Sequence, residues 1–129
     1  MFYADTSALV KLTVVEAESR GLRSWLDERG ASLASSDLAR TELGRAVRRA
    51  APEAIGAARD VLTRVLLIAA TPAVFDEAAR LDPVELRSLD ALHLAAALAL
   101  GDELEGLITY DDRLAAAAHR LGVAVLAPT

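Results

Sequence analysis

Short apolar segments alternate with amphipathic segments along the whole chain, and this alternation limits the possible folds more than any other feature. The apolar segments have the length of strands, whereas the amphipathic segments have helical periodicity. Since strands separated by helices form parallel pairs, we expect an α/β fold with a central parallel sheet of about five strands, covered by helices on both faces. The five predicted strands are Phe2–Asp5, Ala31–Ser35, Val65–Ala70, Gly106–Thr109 and Val123–Leu126.

Capping residues and glycines set the ends of the predicted helices. The predicted helices are one capped by Thr6 or Ser7, then Glu16–Arg29, Asp37–Ala50, Pro52–Arg64, Pro72–Leu81, Leu89–Leu100 and Asp111–Leu121. Ser36 or Asp37 would cap the third helix and Ser88 the sixth, while Gly30 and Gly122 would end the second and the last. The apolar run Val65–Ala70 could also be the end of a helix.

The bulk composition predicts one domain, residues 1–129, because the chain is long enough for a single core and no linker or repeat divides it. The absence of cysteine excludes disulfides, thiolate metal sites and a cysteine nucleophile. The sequence shows no N-terminal signal, and Ala91–Gly101, its longest low-charge run, is shorter than the roughly 20 residues of a membrane span. We therefore expect a soluble, cytoplasmic protein.

Four acidic residues are placed where the predicted elements would deliver them to one site. Asp5 and Asp111 end or follow strands, whose carboxyl ends form the site edge of open α/β sheets, while Glu42 and Asp90 lie on helices. Carboxylates gathered together repel one another unless a divalent cation neutralises them, and Mg²⁺ and Mn²⁺ prefer oxygen ligands. The quartet predicts a metal site for phosphodiester chemistry, in which the cation lowers the pKa of an attacking water.

Each acid also has an ordinary structural explanation. Asp5 could cap the helix that follows it, and either Asp111 or Asp112 could cap the last helix. Asp90 could be a first-turn acid favoured by the helix dipole. We prefer Asp111 to Asp112 as the ligand because Asp111 follows the strand directly, which leaves Asp112 at the rim. Taken together the acids indicate a metal site, although none does so alone.

Polar residues beside the acids could support them. Thr6, Ser7 and Thr109 could hydrogen-bond to carboxylates or to metal-bound water, although helix caps and strand ends explain these residues equally well. His93 lies one turn after Asp90 and could be proposed as a base. We interpret it as a packed, hydrogen-bonded histidine, because its helix is strongly apolar and a base needs reach to its proton.

The net charge of −5 at first argues against a nucleic-acid partner. The four candidate carboxylates, however, account for most of that charge. Lys11 is the only lysine among 14 basic residues, and arginine favours bidentate contacts with phosphate. Only local arginine clusters are informative, because a biased genome composition also produces heavy arginine usage.

Two sets of arginines lie near the candidate acids. Spacings of three and four residues place Arg45 on one side of its helix with Arg48 and Arg49. This group could guide a phosphate backbone towards the acids, or it could be a solvated face, and Arg45 could instead pair with Glu42. The arginines that flank the motifs of Asp90 and Asp111 are Arg87 and Arg113.

With these residues identified, the chain resembles PIN-domain ribonucleases, specifically the VapC-type toxins of bacterial toxin–antitoxin pairs. The resemblance covers essentially the whole length and rests on four features, which are Met1–Leu9, Glu42, Ser88–Ala97 and Leu107–Asp111. It implies a PIN-like fold, binding of Mg²⁺ or Mn²⁺ by the quartet of acids, and endonucleolytic cleavage of RNA. It also implies a homodimer and a cognate VapB-like antitoxin.

Such an antitoxin could inhibit the site by inserting an arginine that pairs with the carboxylates in place of the cation. Its apolar residues would cover a groove on the N-terminal helices, where we expect Leu9, Val10, Leu22 and Trp25 to be available.

Two other functions are compatible with a similar fold. A phosphorylated receiver domain would normally have adjacent acids after the first strand and a lysine after the last one, but Asp5 stands alone and Leu126–Thr129 contains no lysine. A catalytically silent PIN domain that binds RNA or protein is the second alternative. Four intact acids argue against it, because a pure RNA binder gains nothing from repelling phosphates.

Overall fold

The computed structural model describes residues 1–129 and contains one sheet of five parallel strands. The strands are β1 (Phe2–Ala4), β2 (Leu33–Ser36), β3 (Leu66–Ile68), β4 (Gly106–Ile108) and β5 (Val125–Leu126). Their order is β3-β2-β1-β4-β5, and every neighbouring pair is parallel. The predicted α/β class and the five strands are confirmed, although each strand is shorter than expected. The order differs from the 2-1-3-4-5 order of receiver domains, which removes the receiver alternative.

Seven α-helices connect and cover the strands. They are α1 (Thr6–Thr13), α2 (Ser19–Arg29), α3 (Leu38–Ala50), α4 (Ile55–Thr63), α5 (Pro72–Arg80), α6 (Ser88–Leu98) and α7 (Asp112–Arg120). Short 3₁₀ turns occur at Pro52–Ala54 and Gly101–Glu103. The helix predicted to begin at Pro52 therefore begins with a 3₁₀ turn and becomes α-helical at Ile55. Gly30 and Gly122 follow α2 and α7 with positive φ, as their predicted stop positions require.

Two predicted helix caps are wrong. The cap of α1 is Asp5, whose carboxylate accepts a hydrogen bond from the backbone N–H of Ala8 at 3.1 Å, so Thr6 and Ser7 lie inside the helix. Asp5 takes this position because it is the first residue after β1 and still has extended backbone. Ser88 is the first residue of α6, and the residue before it makes no side-chain cap. At α3 the hydroxyl of Ser36 accepts a hydrogen bond from the backbone N–H of Leu38, the first residue of the helix. Ser36 was one of the two caps predicted for this helix.

Alternation along the central strands sends side chains into cores on both faces of the sheet. Tyr3 on β1 and Leu107 on β4 pack on one face with α6 and α7. Ala4 and Ile108, the next residues along, pack on the opposite face with α1, α3 and α4. The predicted helical cover on both faces is thus confirmed, and α5 packs on the outer side of α6.

Two of the four residues predicted to line an apolar groove on the N-terminal helices face the core instead. Leu9 and Leu22 are buried at 0% and 1% exposure in the core of that face. Trp25 is half-buried, with its ring edge-on to Phe2 at a centroid distance of 4.9 Å. Both leucines follow the helical period that any core-facing helix shows, so the sequence pattern could not separate a core from a docking surface.

The strand register brings the ends of β1 and β4 together. Ala4 lies opposite Ile108, and the backbone N–H of Asp5 donates to the Ile108 carbonyl at 3.3 Å. The residues after the two strands, Asp5 and Thr109, are therefore neighbours at the carboxyl edge of the sheet. No helix combines the length and the apolar character that a membrane span requires.

Candidate functional site

Asp5 is buried at the carboxyl end of β1, with 4% of its surface exposed. Its Oδ1 accepts from the Ser7 hydroxyl at 2.6 Å and from the Ala8 backbone N–H, while its Oδ2 accepts from the Thr109 hydroxyl at 2.6 Å. Burial raises the pKa of Asp5, and these hydrogen bonds offset only part of that effect. Asp5 is thus both the helix cap that the sequence allowed and a rigid, buried carboxylate at the predicted site.

Ser7 and Thr109 join the ends of β1 and β4. The Ser7 hydroxyl accepts from the backbone N–H of Tyr110 at 3.0 Å, and the Thr109 hydroxyl accepts from that of Asp111 at 3.0 Å. Because each hydroxyl also donates to Asp5, the two side chains fix the acid relative to the turn after β4. Hydrogen bonds to a carboxylate were one of the roles considered for both residues, and both donate to Asp5.

Asp111 caps α7 and retains a free carboxylate oxygen. Its Oδ1 accepts from the backbone N–H groups of Arg113 and Leu114 at 2.9 and 3.2 Å, which leaves Oδ2 without a protein donor. Asp112 is exposed in the first turn of the helix. Of the two alternatives for the cap, the structure selects Asp111.

Asp90 lies in the first turn of α6 and is close enough to other acids to feel their charge. Burial raises its pKa, and the negative charges of Asp111 and Asp5 raise it further, against the opposing influences of His93 and Arg87. No hydrogen bond contributes to that shift. Three of the four predicted acids, from three different elements, are therefore electrostatically coupled.

Glu42 reaches the site from α3 and does not pair with Arg45. Its Oε1 accepts from His93 Nε2 at 2.6 Å and from the Thr6 hydroxyl at 3.0 Å. Burial raises its pKa, but the hydrogen bond and charge interaction with His93 and the bond from Thr6 outweigh burial, so the pKa is lowered overall. Glu42 is held as an ionised carboxylate, and its Oε2 has no protein donor.

His93 is buried at 3% exposure, and its other ring nitrogen, Nδ1, lies 2.7 Å from the Tyr3 hydroxyl. The interpretation of His93 as a packed, hydrogen-bonded residue is confirmed. Sequence reasoning did not foresee its partners, Glu42 and Tyr3. Two spacings could have indicated them: Tyr3 shares a strand face with Asp5, and His93 shares a helix face with Asp90.

The side chains fit a hard divalent cation by their chemistry. They are all oxygen donors, and Glu42, Asp90 and Asp111 each keep at least one oxygen without a hydrogen-bond donor. Burial is the largest cause of the raised pKa of Asp90, and the charges of Asp111 and Asp5 add a repulsion that a cation would relieve. In the present side-chain positions no three carboxylates or histidines are close enough to hold one ion. The ligand types therefore fit a cation, whereas the side chains lie farther apart than in a closed metal site.

Three arginines line a cleft of about 440 Å³ together with Asp90. They are Arg87, Arg113 and Arg120, and none of them forms an ion pair. The sequence pointed to the first two but missed Arg120, although its spacing of seven residues from Arg113 places both on one face of α7. The exposed group on α3 lines a separate cleft, formed by Arg45, Arg48 and Arg49.

Comparisons with known proteins agree with this fold. Residues 2–120 match the PIN domain family. Ribonuclease VapC46 of Mycobacterium tuberculosis is 47% identical over 98% of this chain and 97% of its own length, and Ribonuclease VapC35 of the same species is 44% identical over 99% and 97%. The crystal structure of M. tuberculosis VapC20, described as a sarcin-ricin loop cleaving toxin, superposes with a TM-score of 0.75 at 20% identity, covering 91% of this chain and 95% of that one. This protein belongs to the PIN domain family and, within it, to the VapC ribonucleases.

Proposed function

We propose that this protein is a metal-dependent endoribonuclease and the toxin of a toxin–antitoxin pair. The observation that carries the proposal is the placement of Asp5 and Asp111 just after the neighbouring strands β1 and β4, with Asp90 near enough that its pKa is raised by burial and then by the charges of Asp111 and Asp5. Acids that repel one another in this way are suited to a cation and a phosphodiester. The named ribonuclease relatives support the class of reaction.

In this proposal Asp5, Glu42, Asp90 and Asp111 hold Mg²⁺, for which Mn²⁺ can substitute. When bound, the cation would neutralise the acids and lower the pKa of a water for attack on the phosphodiester. The acids differ in how firmly hydrogen bonds hold their side chains. Asp5 is fixed by three hydrogen bonds and Glu42 by two, whereas Asp90 has none and is free to adjust.

The cleft beside Asp90 supplies a binding site for the RNA backbone. Arg87, Arg113 and Arg120 face it without carboxylate partners, so their guanidinium groups are available for bidentate contacts with phosphate. The three arginines outnumber the two acids of the cleft, Glu85 and Asp90, and this local excess of positive charge would allow a protein of net charge −5 to bind a polyanion. The group formed by Arg45, Arg48 and Arg49 lies on the helix that carries Glu42 and would extend the path of the RNA.

Cleavage of total RNA by the purified protein tests the reaction. We expect cuts with Mg²⁺ or Mn²⁺, none with chelator, and a loss in Asp5→Ala large enough to abolish detectable product. A directly attacking water does not need the ribose 2′-hydroxyl, so the products should carry 5′-phosphate and 3′-hydroxyl ends. Products with 2′,3′-cyclic phosphate would contradict the mechanism, and RNA binding without any cleavage would favour the silent PIN domain.

We infer that a small VapB-like antitoxin switches the site off and that the toxin itself forms a homodimer. The open, acidic site beside Asp90 can accept a basic side chain in place of the cation. Large apolar side chains on and beside the α5–α6 hairpin remain exposed, with Phe75 at 48%, Val84 at 85% and Leu89 at 49%, and they offer a surface for a second copy.

Growth of cells tests the partner. Expression of the protein alone should arrest growth, whereas expression together with the small gene beside its own should not. Asp90→Asn is the matched control, since it should keep the fold and be harmless in both conditions. Normal growth during strong, verified expression of the soluble wild type would count against the toxin function.

A further inference from the structure

A chain of hydrogen bonds crosses the interior from β1 through α6 to α3. The Tyr3 hydroxyl lies 2.7 Å from His93 Nδ1, and His93 Nε2 lies 2.6 Å from Glu42 Oε1. Tyr3 is fully buried and His93 nearly so, with 0% and 3% exposure. Since the three residues come from three elements, the chain exists only in the folded protein.

The chemistry of the partners limits where the hydrogens on this chain can lie. A carboxylate can only accept, so His93 Nε2 must carry the hydrogen that bridges to Glu42. In the neutral ring Nδ1 is then an acceptor, and the Tyr3 hydroxyl donates to it. Tyr3 is fully buried, and its hydroxyl lies within hydrogen-bonding distance of this nitrogen. With both ring nitrogens engaged and no exposed edge, His93 cannot act as a base towards a substrate.

We propose that His93, oriented by Tyr3, is a positioning residue that occupies one oxygen of Glu42 and thereby presents the other, Oε2, to the site. The Thr6 hydroxyl also donates to Oε1, at 3.0 Å. Two donors therefore share Oε1, and no protein donor bonds to Oε2. Glutamate has a longer side chain than aspartate and more rotamers to lose. Glu42 is thus the acid that most needs such support, whereas Asp5 and Asp111 are fixed by caps and hydroxyls beside them. This inference rests on the proposed function only where it places Glu42 in the site.

A pair of substitutions at His93 separates positioning from packing. His93→Gln keeps an N–H donor near the position of Nε2, whereas His93→Leu fills a similar volume and donates nothing. We expect His93→Leu to lower kcat by about 10- to 100-fold, the usual range for a residue that orients a metal ligand, with little change in KM for RNA. His93→Gln should recover most of the loss. The stabilisation of each variant by Mn²⁺, measured by thermal unfolding, should follow the same order.

The double variant His93→Leu with Glu42→Gln tests whether His93 acts through Glu42. If His93 acts through Glu42, His93→Leu should cause little further loss of kcat in the Glu42→Gln background. A full additional loss, or equal activity of His93→Gln and His93→Leu, would overturn the proposal and assign His93 to packing alone.

A second measurement is independent of activity. Nitrogen-15 NMR of the metal-free wild type should show a protonated Nε2 and a hydrogen-bonded Nδ1, and Tyr3→Phe should alter the signal of Nδ1. An unprotonated Nε2 would overturn the positioning proposal whatever the enzyme does. Failure of the proposed function would instead appear as wild-type protein that shows the expected NMR signals but never cleaves RNA.

Discussion

At the scale of single residues, the site acids differ in what they cost the fold. Burial and like charges raise the pKa of Asp90, and burial raises that of Asp5, so each ionised acid is harder to accommodate in the folded protein than in the unfolded chain. Glu42 shows the opposite shift because His93 and Thr6 stabilise its charge. The position of Asp90 lowers the stability of the metal-free protein, and a role in binding a cation would account for it.

The Asp90→Asn variant should separate these effects. A raised pKa means that the folded state binds the proton more tightly, so the contribution of Asp90 to metal-free stability should be most favourable below its ordinary pKa of 3.8 and be lost as pH rises through the raised pKa. Asp90→Asn should reduce this loss of stability with rising pH and leave the metal-free protein at least as stable as wild type at pH 7. It should also lose most of the metal stabilisation, which is about 2.7 kcal/mol for wild type at a hundredfold excess over Kd.

Thermal unfolding between pH 4 and 7, with chelator and then with Mn²⁺, measures both effects. Asp76→Asn, on the exposed surface of α5, removes the same charge outside the site and should change neither. Equal stabilisation by Mn²⁺ in wild type and Asp90→Asn would show that Asp90 is not a ligand.

At the scale of elements, two glycines inside helices have opposite surroundings. A Cβ at Gly44, in the middle of α3, would meet nothing within 4 Å. A Cβ at Gly21, in α2, would overlap the backbone of Thr129, because the C-terminal segment packs directly on that helix. The Tyr110 hydroxyl donates to the Pro128 carbonyl at 2.6 Å and holds the segment in place.

The same substitution should therefore have opposite effects at the two sites. Gly44→Ala should raise the free energy of unfolding by about 0.5–1 kcal/mol through helix propensity alone. Gly21→Ala should lower it by about 1–3 kcal/mol through overpacking. Denaturant unfolding of both variants measures the difference, and removal of Thr129 should restore part of the loss only in Gly21→Ala. Destabilisation by both variants would mean that the space around Gly44 is also too crowded for a Cβ.

At the scale of the whole molecule, charge is separated into acids at the sheet edge and arginines around them. All five strands share one sheet, which supports the proposal that residues 1–129 form a single domain. On that one scaffold, the cleft of Arg113 and Arg120 adjoins Asp90, whereas Arg48 and Arg49 line a different cleft. The two clefts should therefore contribute differently to RNA binding and to cleavage.

Paired substitutions to glutamine should reveal that difference. For single-stranded RNA, each lost phosphate contact reduces the slope of log K against log salt concentration by about 0.7. Arg113→Gln with Arg120→Gln should reduce the slope by about 1.4 and also lower kcat/KM. Arg48→Gln with Arg49→Gln should weaken binding with a smaller effect on cleavage, and neither pair should change metal affinity. Binding is measured in an Asp90→Asn background to prevent cleavage, and an unchanged slope in both pairs would place the RNA elsewhere.

The sequence alone determined the fold class, because hydrophobic periodicity and chain order are local properties. Alternating strands and helices permit little other than a parallel sheet with helices on both faces. The same local logic placed Asp5 and Asp111 at the ends of strands, and the choice between Asp111 and Asp112 as the cap concerned neighbouring residues.

The tertiary structure decided which distant side chains touch. The contact between His93 and Glu42 spans 51 positions of sequence, and that between Tyr3 and His93 spans 90. The sequence could not show that Leu9 and Leu22 face a core rather than a partner, because both environments require the same apolar stripe. Nor could it show that Arg120 shares a cleft with Asp90, since that depends on how α7 packs beside α6. Secondary structure follows from neighbours along the chain, whereas the site depends on packing between elements that the chain brings together only when it folds.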